Sequence, residues 1–167
     1  TGLYPHQAGV GHMVTDLGYE GYEGYLNQRC VTIAEALKAH GYGTYLSGKW
    51  HVGGNYNVRD PKTWSPDDPR HPTPTSRGFD EFYGYVSGNI DFHSHYDNAG
   101  IYDWWHNTDS LYEKGYVTDL ITQHAMDFIE ENQDRPFFLY VPHEAPHVPF
   151  QGRQDTAYRF PDREFSY

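Results

Sequence analysis

Lys49 and His51 lie two residues apart in the segment Gly48-Lys49-Trp50-His51. In an extended chain, side chains two positions apart point to the same side, so Trp50 points to the other. A cation and an imidazole would then share one pocket, and Gly48 allows a ligand or another backbone to approach closely. The spacing alone fits a surface lysine and a buried structural histidine equally well.

A second candidate site is the proline-rich segment 142–149, which contains His143 and His147. Its three prolines fix much of the backbone, so either histidine would be presented with little loss of freedom on binding. A histidine on such a loop suits general acid catalysis or anion binding. The pattern also fits a purely structural turn.

The third candidate is a His-x-His-x-Asp pattern formed by His93, His95 and Asp97. This spacing is typical of a zinc site of the metallo-β-lactamase type. That motif requires a further histidine after the aspartate, where this chain has Asn98. A polar loop at the rim of a pocket is the favoured interpretation.

The elements that would position these residues alternate between helix and strand. Helices are predicted over 31–40, closed by Gly41, and over 117–132, with Thr118 as the N-cap. Strands are predicted over 44–47, 79–86 and 137–141, the last with both faces covered. This order predicts an α/β layered fold, in which ligands bind beyond the carboxyl ends of the strands.

Composition narrows the classes of function. The chain has 167 residues and a formal net charge of −11, with 12 basic against 23 acidic residues, which argues against nucleic-acid binding. An anionic substrate therefore needs a locally cationic site. The chain has no apolar run long enough for a membrane span, and the single cysteine, Cys30, excludes an internal disulfide and is expected to be structural.

Several segments resemble the sulfatase family, in its arylsulfatase-like branch of the alkaline phosphatase superfamily. Residues 41–51 match the second sulfatase signature throughout, and residues 77–84, 118–121 and 145–149 are also similar to arylsulfatases. The start at 1–6 resembles the end of the first signature, whose Cys or Ser becomes formylglycine. The resemblance implies that the formylglycine residue precedes Thr1 and that 1–167 is an internal part of the N-terminal catalytic domain.

The implied fold is alkaline-phosphatase-like α/β, with a mostly parallel central sheet flanked by helices and present only in part. Irregular excursions are expected at about 53–77 and 87–115. The resemblance also assigns catalytic roles. Lys49 would bind a sulfate oxygen, His51 would hydrogen-bond the formylglycine diol, and His147 would contact the sulfate and protonate the leaving oxygen.

Further residues are expected from position to line the substrate pocket: His143, His93, His95 and Arg77. The family implies Ca²⁺ under the sulfate, with ligands outside this chain and no metal site within it. The family also implies a periplasmic or extracellular location. No oligomeric state is implied.

The resulting expectation is a sulfuric ester hydrolase that acts on an aryl or carbohydrate sulfate, with this segment inactive alone. Two alternatives remain open. One is a phosphoesterase or phosphonate hydrolase of the same superfamily, and the other is a noncatalytic module that binds sulfated glycans.

Overall fold

The computed structural model describes residues 1–54 and 68–158. Its helices and strands, in chain order, are α1 (Ile33–Lys38), β1 (Gly43–Lys49), a 3-10 turn (Thr75–Arg77), β2 (Glu81–Tyr85), β3 (Trp105–His106), β4 (Asp109–Ser110), α2 (Val117–Asn132) and β5 (Phe137–Tyr140). The predicted alternation is confirmed, with a short hairpin added between β2 and α2.

The sheet contains five strands in the order β4-β3-β2-β1-β5. Strand β1 runs parallel to both of its neighbours, β2 and β5, whereas β3 and β4 pair antiparallel at the far edge. The predicted parallel core of the sheet is therefore present. It brings the carboxyl ends of β1, β2 and β5 to one edge.

The two faces of the sheet bury different apolar groups because side chains alternate along each strand. Leu46 and Phe82 pack in one cluster with Ala34 of α1. Tyr45 and Tyr83 lie in a second cluster, with α2. Each fully buried large apolar side chain contributes roughly 1.5–3 kcal/mol to stability, so helices on both faces stabilise the layered fold.

Helix α1 begins later than predicted because a capping box sets its start. The hydroxyl of Thr32 accepts the backbone N–H of Glu35 at 3.0 Å, and the Glu35 carboxylate accepts the N–H of Thr32 at 2.7 Å. Gly41 then adopts a φ of +82°, in the left-handed region that favours glycine. The helix nevertheless ends at Lys38 with Ala39 as its C-cap, so Gly41 lies two residues beyond the cap that was predicted for it.

Helix α2 has the predicted bounds, Val117–Asn132, but not the predicted cap. Its N-cap is Tyr116, which makes no side-chain cap bond, and Thr118 already lies in the first turn. The prediction for Thr118 was therefore wrong. Ile121 and Phe128 are buried, and they fix this helix on the sheet.

Strand β5 departs from the prediction of a strand covered on both faces. It forms the edge of the described sheet, its first three residues are half-buried, and Tyr140 is 47% exposed. A continuous apolar run alone does not reveal which neighbours cover a strand.

The two predicted excursions are only partly irregular. Residues 55–67 of the first lie outside the described residues, and the rest includes the 3-10 turn. The second contains the β3–β4 hairpin, where the Asn107 side chain accepts the backbone N–H of Phe82 at 2.9 Å. In the described ranges 1–54 and 68–158, no helix combines the length and apolar character that a membrane span requires.

Candidate active site

The end of β1 lies against the segment that follows β5. Gly48 has a φ of +136°, and a side chain there would collide with the carbonyl oxygen of Pro142. Next to it, the backbone N–H of Lys49 donates to that same oxygen at 2.9 Å. Glycine thus allows the close approach that brings the proline-rich loop to the carboxyl edge of β1.

The Lys49 side chain reaches towards the turn that follows β2. Its Nζ donates a hydrogen bond to the carbonyl oxygen of Gly88. Burial lowers the pKa of Lys49, and the negative charge of Glu144 opposes that shift. Lys49 therefore sits in a half-buried site with an anionic group nearby.

His51 meets Lys49 at the same turn. A Cβ placed on Gly88 would lie 2.9 Å from Nε2 of His51, so the imidazole packs directly on that glycine. Trp50 between them is 8% exposed and donates its indole N–H to the carbonyl oxygen of Pro72 at 2.7 Å. Lys49 and His51 thus meet on one side while Trp50 lies in the core cluster, but His51 has a φ of +52° and is not in the extended conformation expected from the sequence.

The pKa of His51 is lowered from its usual value near 6.5 to about 4. Burial is the largest cause, and the positive charges of Lys49 and His147 add to it. His51 is therefore a neutral imidazole near pH 7, able to accept a proton or share a hydrogen bond.

His147 approaches the site from the proline-rich loop. Its side chain is 45% exposed, and its Nδ1 lies 3.0 Å from the carbonyl oxygen of Val148. It is near enough to His51 to influence its charge. The fold thus brings together Lys49, His51 and His147, which are separated by up to 98 positions in the chain.

Glu144 is a member of this group that the sequence analysis did not select. Its side chain has no solvent exposure, and its Oε2 accepts a hydrogen bond from the hydroxyl of Tyr85. Its Oε1 lies 3.8 Å from Nδ1 of His147. The only available sequence signal was an acidic residue between the two histidines of a proline-rich loop.

Asp103 fixes the turn that contacts Lys49 and His51. Its buried carboxylate accepts the backbone N–H groups of Val86 and Ser87 at 3.1 and 2.8 Å, and the indole N–H of Trp105 at 2.5 Å. Burial raises the pKa of Asp103, although these hydrogen bonds favour its charged form. No motif around Asp103 indicates this role.

Two of the residues expected to line a substrate pocket lie in the interior. Arg77 is 2% exposed, and its guanidinium pairs with Glu35 at 2.8 Å and donates to backbone carbonyls of the 26–30 segment. His95 is fully buried against Trp104, with Nε2 3.0 Å from the carbonyl oxygen of Gly115. Burial lowers the pKa of His95 to about 4. Both side chains are engaged in packing, which corrects the expectation that they face substrate.

The other two pocket candidates remain accessible. His143 is exposed on the proline-rich loop, one residue before Glu144. His93 is half-buried beside Tyr116, and its Nε2 lies 3.1 Å from the carbonyl oxygen of Gly152.

The His-x-His-x-Asp pattern does not gather its side chains. His93 and His95 have the separate partners given above, and Asp97 accepts the backbone N–H groups of Ala99 and Ile101. Within residues 1–54 and 68–158, no group of three or more His, Cys, Asp or Glu side chains is arranged to hold a metal ion. The segment forms a turn, and the expected place of this loop at the rim of a pocket stays a prediction.

Comparison with known proteins relates the chain to one family. The family model described as Sulfatase matches residues 1–165. Arylsulfatase J of Mus musculus is 35% identical over 138 residues, which cover 77% of this chain and 21% of that protein. The arylsulfatase of Klebsiella aerogenes is 29% identical over 174 residues, covering 96% of this chain and 34% of that protein. The chain thus spans about a fifth to a third of the length of these relatives.

Solved structures show the same fold. Ps i-CgsB, in complex with k-i-k-neocarrahexaose, superimposes with a TM-score of 0.67 and 27% identity over 89% of this chain and 33% of that one. BT4656, in complex with its substrate D-glucosamine-2-N,6-O-disulfate, gives a TM-score of 0.51 and 25% identity over 86% of this chain and 25% of that one. The alkaline-phosphatase-like α/β fold expected from the sequence is confirmed.

Proposed function

Since the chain belongs to the sulfatase family, we propose that the protein containing it hydrolyses sulfate esters and that residues 1–167 supply one wall of the active site. The convergence of Lys49, His51 and His147 at the carboxyl edge of the sheet carries this proposal. A chain with a net charge of −11 repels a sulfate unless a cation faces it locally, and Lys49 supplies a cation at this edge.

Lys49 would bind an oxygen of the sulfate group. Its ammonium is held by the Gly88 carbonyl and by the nearby Glu144 charge, so little reorganisation is needed when negative charge develops on the transferred group. Such a fixed cation stabilises a transition state more effectively than a mobile surface lysine.

His51 would serve as a hydrogen-bond partner and proton acceptor. The hydrated formylglycine expected before Thr1 would attack sulfur with one hydroxyl while the ester S–O bond breaks, which leaves a sulfated intermediate. His51, which is unprotonated near pH 7, would take the proton of the second hydroxyl as the intermediate re-forms the aldehyde and releases sulfate.

His147 would donate a proton to the oxygen that leaves. Its side chain is 45% exposed, on the solvent side of the group, where an ester substrate would enter. Histidine titrates near neutral pH, which suits it to this role.

Calcium is proposed only for the whole protein. The described residues hold no cluster suited to a metal ion, so its ligands would lie elsewhere and no step above depends on it.

A sulfated carbohydrate is the proposed substrate class. One relative in the structural comparison was solved with its substrate, a glucosamine disulfate, and an N-acetylglucosamine-6-O-sulfatase of Bacteroides thetaiotaomicron is 30% identical over 117 residues. His143, and His93 further along the surface, are the accessible polar groups proposed to contact the sugar. We also propose a periplasmic or extracellular location, as the family implies, to be checked by cell fractionation.

The test is turnover by the full-length protein. We expect it to release sulfate from an aryl sulfate or a sulfated hexosamine, and we expect mass spectrometry to detect formylglycine in the segment before Thr1. Alanine variants of Lys49, His51 and His147 should each lose roughly 10²–10⁴-fold in kcat. His40→Ala is the matched control, because His40 is exposed in the turn before β1, at the opposite edge of the sheet.

The same assay separates the alternatives. Preferential cleavage of phosphate or phosphonate esters, with no formylglycine, would replace the sulfatase proposal by the phosphoesterase alternative. Binding of a sulfated glycan without turnover would favour the noncatalytic module. The isolated 167-residue chain should cleave none of these esters. If it did, the proposal that the nucleophile lies outside the chain would be refuted.

A further inference from the structure

Glu144 places a carboxylate inside the candidate site. Its side chain has no solvent exposure, although a buried charge is costly unless charged or hydrogen-bonding partners compensate for it. The side chains that face it come from three parts of the fold. Lys49 extends from the end of β1, Tyr85 from the end of β2, and His147 from the same loop as Glu144.

The carboxylate is held in place from the sheet and from its own loop. The hydroxyl of Tyr85, a fully buried residue paired with Lys49 across β1 and β2, donates to Oε2. The backbone carbonyl of Glu144 accepts the N–H of His147 at 2.9 Å. Both contacts fix where the negative charge lies relative to the histidine.

The opposite oxygen faces the groups that would act on substrate. Oε1 lies 3.8 Å from Nδ1 of His147, and the charge of Glu144 also acts on Lys49. Packing alone does not require a carboxylate here, since apolar residues can replace buried ion pairs without loss of stability. A negative charge near the Lys49 ammonium does favour its protonated form.

We propose that Glu144 is a positioning residue of the site, whose buried carboxylate, fixed by Tyr85, holds the His147 imidazole in its working position and places a negative charge near the Lys49 ammonium. This inference rests on the proposed function, because Lys49 and His147 are the groups through which Glu144 acts. Glu144 itself does not contact the reacting atoms.

The direction of its effect on pH dependence follows from the charges. Burial lowers the pKa of Lys49 and Glu144 raises it, so removing the carboxylate lowers it further. This change moves the alkaline limb of the pH–rate profile towards lower pH.

The experiment compares full-length wild type with Glu144→Gln, which keeps the size and an acceptor oxygen but removes the charge. We expect the alkaline limb of kcat/KM to shift by about 1 unit to lower pH and kcat at the optimum to fall about 10-fold or more. Glu113→Gln is the matched control. Glu113 also accepts a tyrosine hydroxyl, from Tyr83 at 2.5 Å, but it lines a different cavity with Glu81 and His106.

A merely structural role would lower activity equally at all pH values, so an unmoved limb in an active Glu144→Gln enzyme overturns the inference. Glu144→Asp keeps the charge with a shorter reach, and we expect its limb to stay in place while kcat falls. If Glu144→Gln does not fold, kcat is measured for Glu144→Asp and Tyr85→Phe instead. A wild-type kcat in both of these variants would overturn the inference. A wild-type protein without sulfatase activity refutes the proposed function itself, before any variant of Glu144 is compared.

Discussion

The ammonium of Lys49 donates a hydrogen bond to the carbonyl oxygen of Gly88, at the turn where β2 ends. The same glycine packs against the imidazole of His51. One residue without a side chain therefore sets the positions of two proposed catalytic groups. This contact makes the turn after β2 part of the site, although the sequence offered no chemical group there to select.

The first prediction concerns Gly88→Ala in the full-length protein. The new Cβ would lie 2.9 Å from Nε2 and 3.1 Å from Cε1 of His51, so the imidazole must move. A displacement on the order of 1 Å can cost about 100-fold in rate, and we expect a loss of about 10- to 100-fold in kcat/KM.

Gly152→Ala is the control for that change. Neither glycine has the positive φ that would strain an alanine, and a Cβ at Gly152 would meet only the Asp155 carboxylate at 3.5 Å. Equal losses of activity in the two variants would contradict the steric account.

The second prediction concerns the titration of His51. Its pKa in the folded protein is about 4, below its value of about 6.5 in the unfolded chain, so folding favours the neutral form. This contribution to stability is fully present above pH 6.5 and is lost as the pH falls from there to about 4. NMR of ¹³C-labelled histidines, assigned with a His51→Gln variant, should find the midpoint near 4.

Lys49→Met should raise the pKa of His51, because it removes a nearby like charge. Lys38→Met is the control, since Lys38 pairs with Asp80 at 2.7 Å, before the start of β1 and β2. An unchanged His51 midpoint in Lys49→Met would show that the two groups are not electrostatically coupled.

The sequence allowed much of this architecture to be predicted because its strongest signals are local. The bounds of α2 follow from apolar spacing, and the strand that ends at Lys49 follows from its flanking glycines. The left-handed backbone of His51 did not follow from that pattern. Glu144 and Asp103 were missed because their importance depends on burial, which arises only when distant segments pack. The expectation that Arg77 lines a pocket was wrong for the same reason. An arginine in a polar stretch is expected to be exposed unless its buried partners are known.

The third prediction tests that interior arginine. Arg77→Met removes the pair with Glu35 and leaves several backbone carbonyls without their donor. Breaking a buried ion pair costs about 3–5 kcal/mol of unfolding free energy. Arg29→Met is the control, because Arg29 is half-exposed and its pairs with Glu20 and Glu23 contribute about 0–1 kcal/mol. Denaturant unfolding checks both, and similar midpoints would contradict the assignment.

The fourth prediction is that Asp103→Asn lowers both the stability of the fold and the activity of the site. An amide offers only one acceptor oxygen, so it cannot serve all three donors that now reach the carboxylate, from Val86, Ser87 and Trp105. Each donor left unsatisfied costs about 1–3 kcal/mol, and we expect the midpoint of denaturant unfolding to fall accordingly. Because the freed backbone N–H groups belong to the turn that leads to Gly88, kcat should fall even under conditions where the variant is fully folded.

Asp16→Asn is the control for this change, since the exposed Asp16 accepts only the backbone N–H of Gly18, at 2.8 Å, and an asparagine can do the same. It should leave both stability and rate near wild type. Full activity in folded Asp103→Asn, despite a lower unfolding midpoint, would show that the turn keeps its position without the carboxylate. The contact of Gly88 with Lys49 and His51 would then have to be held by β1 alone.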